Sequence, residues 1–247
     1  GGRGRGRPPP PPPAPPGPPP PPPPRAGGPP PPPPPPAPPG PPPGPAPGGP
    51  ARVPLGDVAA FDSTAGEFGG GLFQGKALGS RVGCAVLLTL LKEKLPLDCT
   101  FVFTAQEEVG NRGAFGAGFS VTPELALVLD GADTADAPGV PAHKRGCTLG
   151  KGVVLPVMDR GSIADRGLFE ELRSLAERET ILWQTSGSIP GRTDAAALQR
   201  TKAGVRTAML SVPVRYHHTP SGLVSLGDVD GVLALTRAFL SDLAEKE

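Results

Sequence analysis

The stretch Cys99-Thr-Phe-Val-Phe-Thr104-Ala-Gln-Glu107-Glu108-Val-Gly110 sets the reading of this chain. Its first six residues are mostly apolar or β-branched and predict a buried strand over 99–104. The carboxyl end of that strand delivers two adjacent carboxylates just ahead of the turn Asn111-Arg-Gly113-Ala114. Carboxylates crowded at a strand end repel each other and resist ionisation unless a cation or a transferable proton lies between them. One Glu can then ligate a metal ion while the other handles a proton of water. Taken alone, a Glu-Glu pair at a loop entrance reads better as a solvated surface feature.

Two further stretches change that balance. Leu125-Ala-Leu-Val-Leu-Asp130 is a second apolar run that ends in an acid, and Met209-Leu-Ser-Val-Pro-Val-Arg-Tyr-His217-His218-Thr-Pro220 is a third, ending in two of the chain's three histidines. Open α/β sheets bind ligands outside the carboxyl ends of their strands, so Glu107, Glu108, Asp130 and a histidine are expected around one crevice. Carboxylate and imidazole suit Zn²⁺, Co²⁺ or Mn²⁺. Spacing alone does not choose between His217 and His218, because neighbours on a strand end point opposite ways.

The rest of the chain from residue 76 alternates strand and helix signals. Ser80 can cap a helix that buries Val82, Val86, Leu87, Leu90, Leu91 and Leu95 and stops before Pro96. Strands are predicted near 124–130, 152–158, 180–185 and 206–212. Helices are predicted near 165–178, near 194–203 with Asp194 as a cap, and from Asp228 onward. Such alternation predicts a largely parallel sheet covered by helices.

The strings KALGSRVGC (Lys76 to Cys84), FTAQEEVGNRGA, LVLDGADTADAPG (from Leu127), LGKG (from Leu149), GRTDAAAL (from Gly191) and SVPVRYHHTP occur in an order that resembles the glutamyl and deblocking aminopeptidases of metallopeptidase family forty-two. These are relatives of the tetrahedral aminopeptidases and of proteins once described as endoglucanases. The resemblance implies a three-layer α/β/α sandwich with a β-barrel lid domain inserted before the Lys76 helix. It implies removal of N-terminal residues from peptides, two divalent ions of the Zn or Co type, and homo-oligomers. Carried over position by position, Glu107 becomes the general base and Glu108, Asp130 and His218 become metal ligands. His217 is left as a surface imidazole.

The departures carry as much weight. Where the family has an Asp that bridges its two ions, this chain has Gly79, which has no side chain to bridge with. The family's other histidine ligand belongs to an early strand, yet no histidine precedes Leu55. The resemblance therefore implies an impaired enzyme holding at most one ion, or a non-catalytic remnant whose role, if any, is binding.

Residues 1–50 are almost entirely Pro, Gly, Ala and Arg, and the chain holds 36 Gly and 40 Pro among 247 residues. A tract with so little to bury is expected to be disordered and rich in polyproline II. It reads as a proline-motif ligand or spacer, or as the product of a misread GC-rich coding stretch, since codons built from G and C alone encode this alphabet. The expected organisation is thus a low-complexity tract (1–50), a lid remnant (51–75) with last strands at Leu55–Phe61 and Gly71–Gly75, and the C-terminal part of a catalytic domain (76–247).

Charge and cysteine usage narrow the remaining options. The tract carries four Arg and no acid, leaving 20 basic against 23 acidic groups elsewhere, which is no nucleic-acid footprint. Three cysteines without metal-ligand spacing, an N-terminus without an apolar signal core and the lack of a run long enough to span a bilayer point to a cytoplasmic protein with no membrane partner.

Overall fold

The computed structural model describes Gly56, residues 58–186 and residues 191–246. The low-complexity tract lies outside the described residues. The elements run β1 (Gly66–Gly69), β2 (Leu72–Gly75), α1 (Leu78–Leu90), α2 (Arg112–Val121), β3 (Leu125–Asp133), β4 (Val153–Val154), α3 (Arg166–Arg178), β5 (Trp183–Gln184), α4 (Ala195–Leu198), β6 (Arg206–Val214), β7 (Gly222–Ser225) and α5 (Leu226–Ala244).

The spine is the parallel pair β3 and β6, matched over nine positions from Leu125 opposite Arg206 to Asp133 opposite Val214. The sheet continues in the order β3-β6-β4-β5, with β4 antiparallel to β6 and parallel to β5. Because strand side chains alternate, each strand feeds two cores. Leu125, Leu127 and Leu129 of β3 and Ala208, Leu210, Val212 and Val214 of β6 face a layer of α1, α3 and α5, where Val86, Leu90, Leu172, Leu235 and Phe239 are sealed from solvent. The intervening residues Val128 and Met209 face a smaller layer holding Ala195 and Leu198 of α4. Helices thus lie on both faces, giving the expected α/β/α sandwich.

A second, three-stranded antiparallel sheet runs β1-β2-β7. The hairpin β1-β2 turns through Gly70 and Gly71, both with positive φ. The predicted strand at Leu55–Phe61 is not formed over residues 58–61, and its start lies partly outside the described residues.

Several local expectations are corrected. Residues 99–104 join no ladder among the described residues. Phe101 packs on the main core, but Val102 and Phe103 are 38% and 46% exposed. Strand composition cannot replace a hydrogen-bonded neighbour. The helix expected from Ser80 begins at Leu78 behind Ala77, which adopts the left-handed conformation at the N-cap, and ends at Leu90. The run expected over 194–203 yields only one helical turn. Helix α2, rich in glycine, and the short strand β7 had no clear sequence signal. Asp165 caps α3 through the Leu168 N–H at 3.0 Å. Among the described residues no helix is long and apolar enough to cross a membrane.

Candidate active site

The turn after residue 104 is built by backbone hydrogen bonds. Gly113 N–H donates to the Ala105 carbonyl (3.0 Å), and the Glu107 carbonyl accepts from Gly110 (3.1 Å) and Asn111 (2.9 Å). A Cβ at Gly113 would sit 2.6 Å from the Ala105 oxygen, so only glycine allows α2 to start this close to the turn. Gln106 and Asn111 take positive φ of 60° and 56°. The tight turn aims Glu107 and Glu108 into a cavity of about 390 Å³.

Asp130 enters that cavity from β3, on the same face as Val128 and two residues further along. His217 and His218 reach it from the turn between β6 and β7. The base of that turn is held by Arg215, whose guanidinium donates twice to Asp136, at 2.8 and 2.6 Å. Thr134 also donates to Asp136, and these bonds hold the Asp136 carboxyl below the usual carboxylate range. All four residues singled out from sequence, Glu107, Glu108, Asp130 and His218, therefore line one cavity. His218 Nε2 lies 3.6 Å from Glu108 Oε1, the side chains being 65% and 69% exposed.

The cavity is dense in acid. Asp133 and Asp159 line it alongside the two Glu and Asp130, while Arg192 contributes a guanidinium at its rim. Burial pushes the Glu107 carboxyl up to about 7, with further upward pressure from the charges of Asp130, Glu108 and Asp194. The Asn111 amide, donating at 3.1 Å, acts the other way. Burial also raises Asp130, to about 6, against the opposing Gly131 N–H at 2.8 Å. Two carboxyls in one cavity thus titrate near neutrality, the range in which a proton acceptor works best.

Three positioning residues escaped the sequence reading. Asn111 is 3% exposed and its amide bridges Glu107 and Asp194 (3.2 Å). Asp194, expected as a helix cap, makes no cap bond; it accepts instead from Asn111 and from Thr104 at 2.5 Å. Asp159 accepts from the N–H groups of Gly161, Ser162 and Thr193 and from the Thr193 hydroxyl, at 2.6 to 2.9 Å. It joins the loop after β4 to the segment before α4. An acid two residues ahead of Gly-Ser (Asp159-Arg-Gly-Ser162), and a Thr-Asp pair ahead of an alanine run, were the available signals.

His217 is corrected as well. It is half-buried, its ring stacked on His218 with centroids 3.9 Å apart, and burial lowers its imidazole, with the His218 charge adding to the effect. The reason is Gly79: the ring lies in the space a side chain there would occupy.

In donor type, the crowded carboxylates and His218 suit a single divalent cation. Position 79, a glycine, offers no donor. Among the described residues no three His, Cys, Asp or Glu side chains are already gathered closely enough to hold an ion.

Comparison with known proteins places this chain and its fold among the aminopeptidases. The chain belongs to the M42 glutamyl aminopeptidase family, whose model matches residues 50–235. A protein of Acetivibrio thermocellus that bears a provisional aminopeptidase name is 36% identical over 185 residues, 74% of this chain and 55% of its own length. The aminopeptidase APDkam598 of the archaeon Desulfurococcus kamchatkensis superimposes with a TM-score of 0.72 at 35% identity, covering 76% of this chain and 54% of that one. The Pyrococcus horikoshii TET1 peptidase, which can assemble into a tetrahedron or a large octahedral shell, matches with a TM-score of 0.61 at 29% identity, over 73% of this chain and 53% of that one. The chain spans about half the length of the curated relatives it matches, 55%, 49% and 41% for three of them.

Proposed function

We propose that the cavity is a metal-dependent aminopeptidase site in reduced form, and that this chain by itself hydrolyses peptides poorly or not at all. The observation that carries the site assignment is the convergence of Glu107, Glu108, Asp130 and His218 on one acidic cavity, with Glu107 tuned to about 7. In this reading Glu107 accepts a proton from the attacking water and returns it to the leaving amine, and the Asn111 amide holds its carboxylate in place. Glu108, Asp130 and His218 are the residues that would hold a Zn or Co ion. Such an ion would fix the free amine of a peptide and polarise its first carbonyl.

Impairment follows from Gly79, which supplies no carboxylate to hold two ions together. A reduced ligand set lowers affinity and misplaces the nucleophile. We further assign residues 51–75, whose described part carries β1 and β2, to the end of an inserted lid, and residues 76–247 to the C-terminal part of the catalytic domain. Three free cysteines fit a cytoplasmic setting.

The test is hydrolysis of a panel of aminoacyl p-nitroanilides by the purified chain with excess Co²⁺ or Zn²⁺. Rates at background are expected, together with Co²⁺ uptake that is weakened by E108Q and H218A. Robust turnover abolished by Glu107→Gln would overturn the impairment, and a complete lack of cation uptake would overturn the metal assignment.

A further inference from the structure

Gly79 lies buried in the first turn of α1, where the helix packs on β3 backbone to backbone. A Cβ on Gly131 would come within 2.6 Å of the Gly79 Cα, and a Cβ on Gly83 within 2.3 Å of the Leu129 carbonyl oxygen. Helix α1 can therefore shift little toward the sheet. On the cavity side the neighbour is His217: a Cβ at position 79 would lie 2.3 Å from its Nε2 and 3.0 Å from its Cδ2. A contact that short cannot stand, so either the ring or the helix would have to move. The imidazole is not a loosely hanging tip, because it stacks on His218 and projects from a turn whose base is fixed by the Arg215–Asp136 pair. Tyr216 and His218, on either side, both hold positive φ, 57° and 58°.

We propose that Gly79 and His217 are a mutually exclusive pair: the His217 ring fills the one space through which a side chain at position 79 would enter the cavity. Two substitutions, rather than one, then separate this chain from a cavity with a carboxylate at that position. The steric claim stands on the geometry alone. Its consequence for cation capacity rests on the metal-site reading above.

The experiment compares the full chain with G79A, H217S, G79A/H217S, G79D and G79D/H217S. Melting temperatures in EDTA read the steric pair, and equilibrium dialysis with Co²⁺ reads cation capacity. We expect G79A to lower the melting temperature clearly and H217S to restore most of that loss, so that the two effects are strongly non-additive. Equal losses from G79A with and without H217S would overturn the pair, as would failure of every position-79 variant to fold whatever residue stands at 217. G79D alone should take up no more Co²⁺ than the parent, whereas G79D/H217S should gain one further ion. Melting coupling without that gain would overturn the cation consequence while leaving the steric pair standing. Extra Co²⁺ bound by G79D alone would overturn the claim that His217 blocks the position.

Discussion

Replacing Glu107 with Gln should stabilise this chain in the absence of metal, and should do so only above acidic pH. The Glu107 carboxyl is raised from 4.5 to about 7, chiefly by burial and then by Asp130, Glu108 and Asp194. A group whose folded-state value is raised favours the protonated native state. Its stabilising contribution is therefore complete below the unfolded value near 4.5 and is lost as pH climbs toward 7. A shift of that size would correspond to roughly 3 kcal/mol for a carboxyl sealed from water. Glu107 lines an open cavity, so screening reduces the expected effect to about 1 kcal/mol. For a folded unit of this length that is a rise in melting temperature of about 2–4 °C. Gln keeps the acceptor for the Asn111 amide and removes the titration. Melts by circular dichroism in EDTA, from pH 4 to pH 8.5, should show E107Q above the parent at pH 8 and level with it at pH 4. A variant melting at or below the parent at pH 8, or a gap that does not close on acidification, would refute the electrostatic reasoning.

Two further outcomes follow from the same structure. Asp159→Ala strips four donors of their shared acceptor, so it should destabilise by about 3 kcal/mol, read from urea unfolding, whereas Asp133→Ala, which removes an acceptor for the Ala135 N–H at 3.0 Å, should cost much less. Burial pushes the Cys147 thiol up to about 12. It should therefore stay unmodified by Ellman's reagent at pH 8 until the protein is unfolded, and prompt native-state labelling, located by peptide mapping, would contradict the burial seen here.

The parallel spine was legible because Leu125–Leu129 of one strand and Ala208–Leu210 of the other are apolar at successive positions, which suits a strand covered on both faces. Asp130 was legible because an acid that interrupts an apolar run stands out, although β3 continues past it to Asp133. Residues 99–104 misled because a ladder is a property of two segments and composition reports only one. Helix α2 was hidden by its glycines, which weaken helix propensity yet permit the contact between Gly113 and Ala105. Beside local bonds, Asn111, Asp159 and Asp194 act through partners 34 to 90 residues away in sequence, a distance that no local pattern spans. His217 was misread because its setting is decided by the missing side chain of Gly79.

The two faces of the main sheet are held by different forces. On one, α1, α3 and α5 bury large aliphatic and aromatic side chains; on the other, Val128, Ala195 and Met209 form a thin apolar contact, and much of the order comes from hydrogen bonds to Asn111, Asp159 and Asp194. Hydrogen-bonded loops with little apolar backing open at lower free energy than a packed core. On warming, the cavity should lose its arrangement while α1, α3 and α5 are still seated on the strands. Amide exchange would then show the turn at 105–113 and the segment 191–199 exchanging early, well ahead of β6. A cation held between Glu108, Asp130 and His218 would tie the turn at 105–113 to β3 and β6, and so would do most for the order of the face that apolar packing supports least.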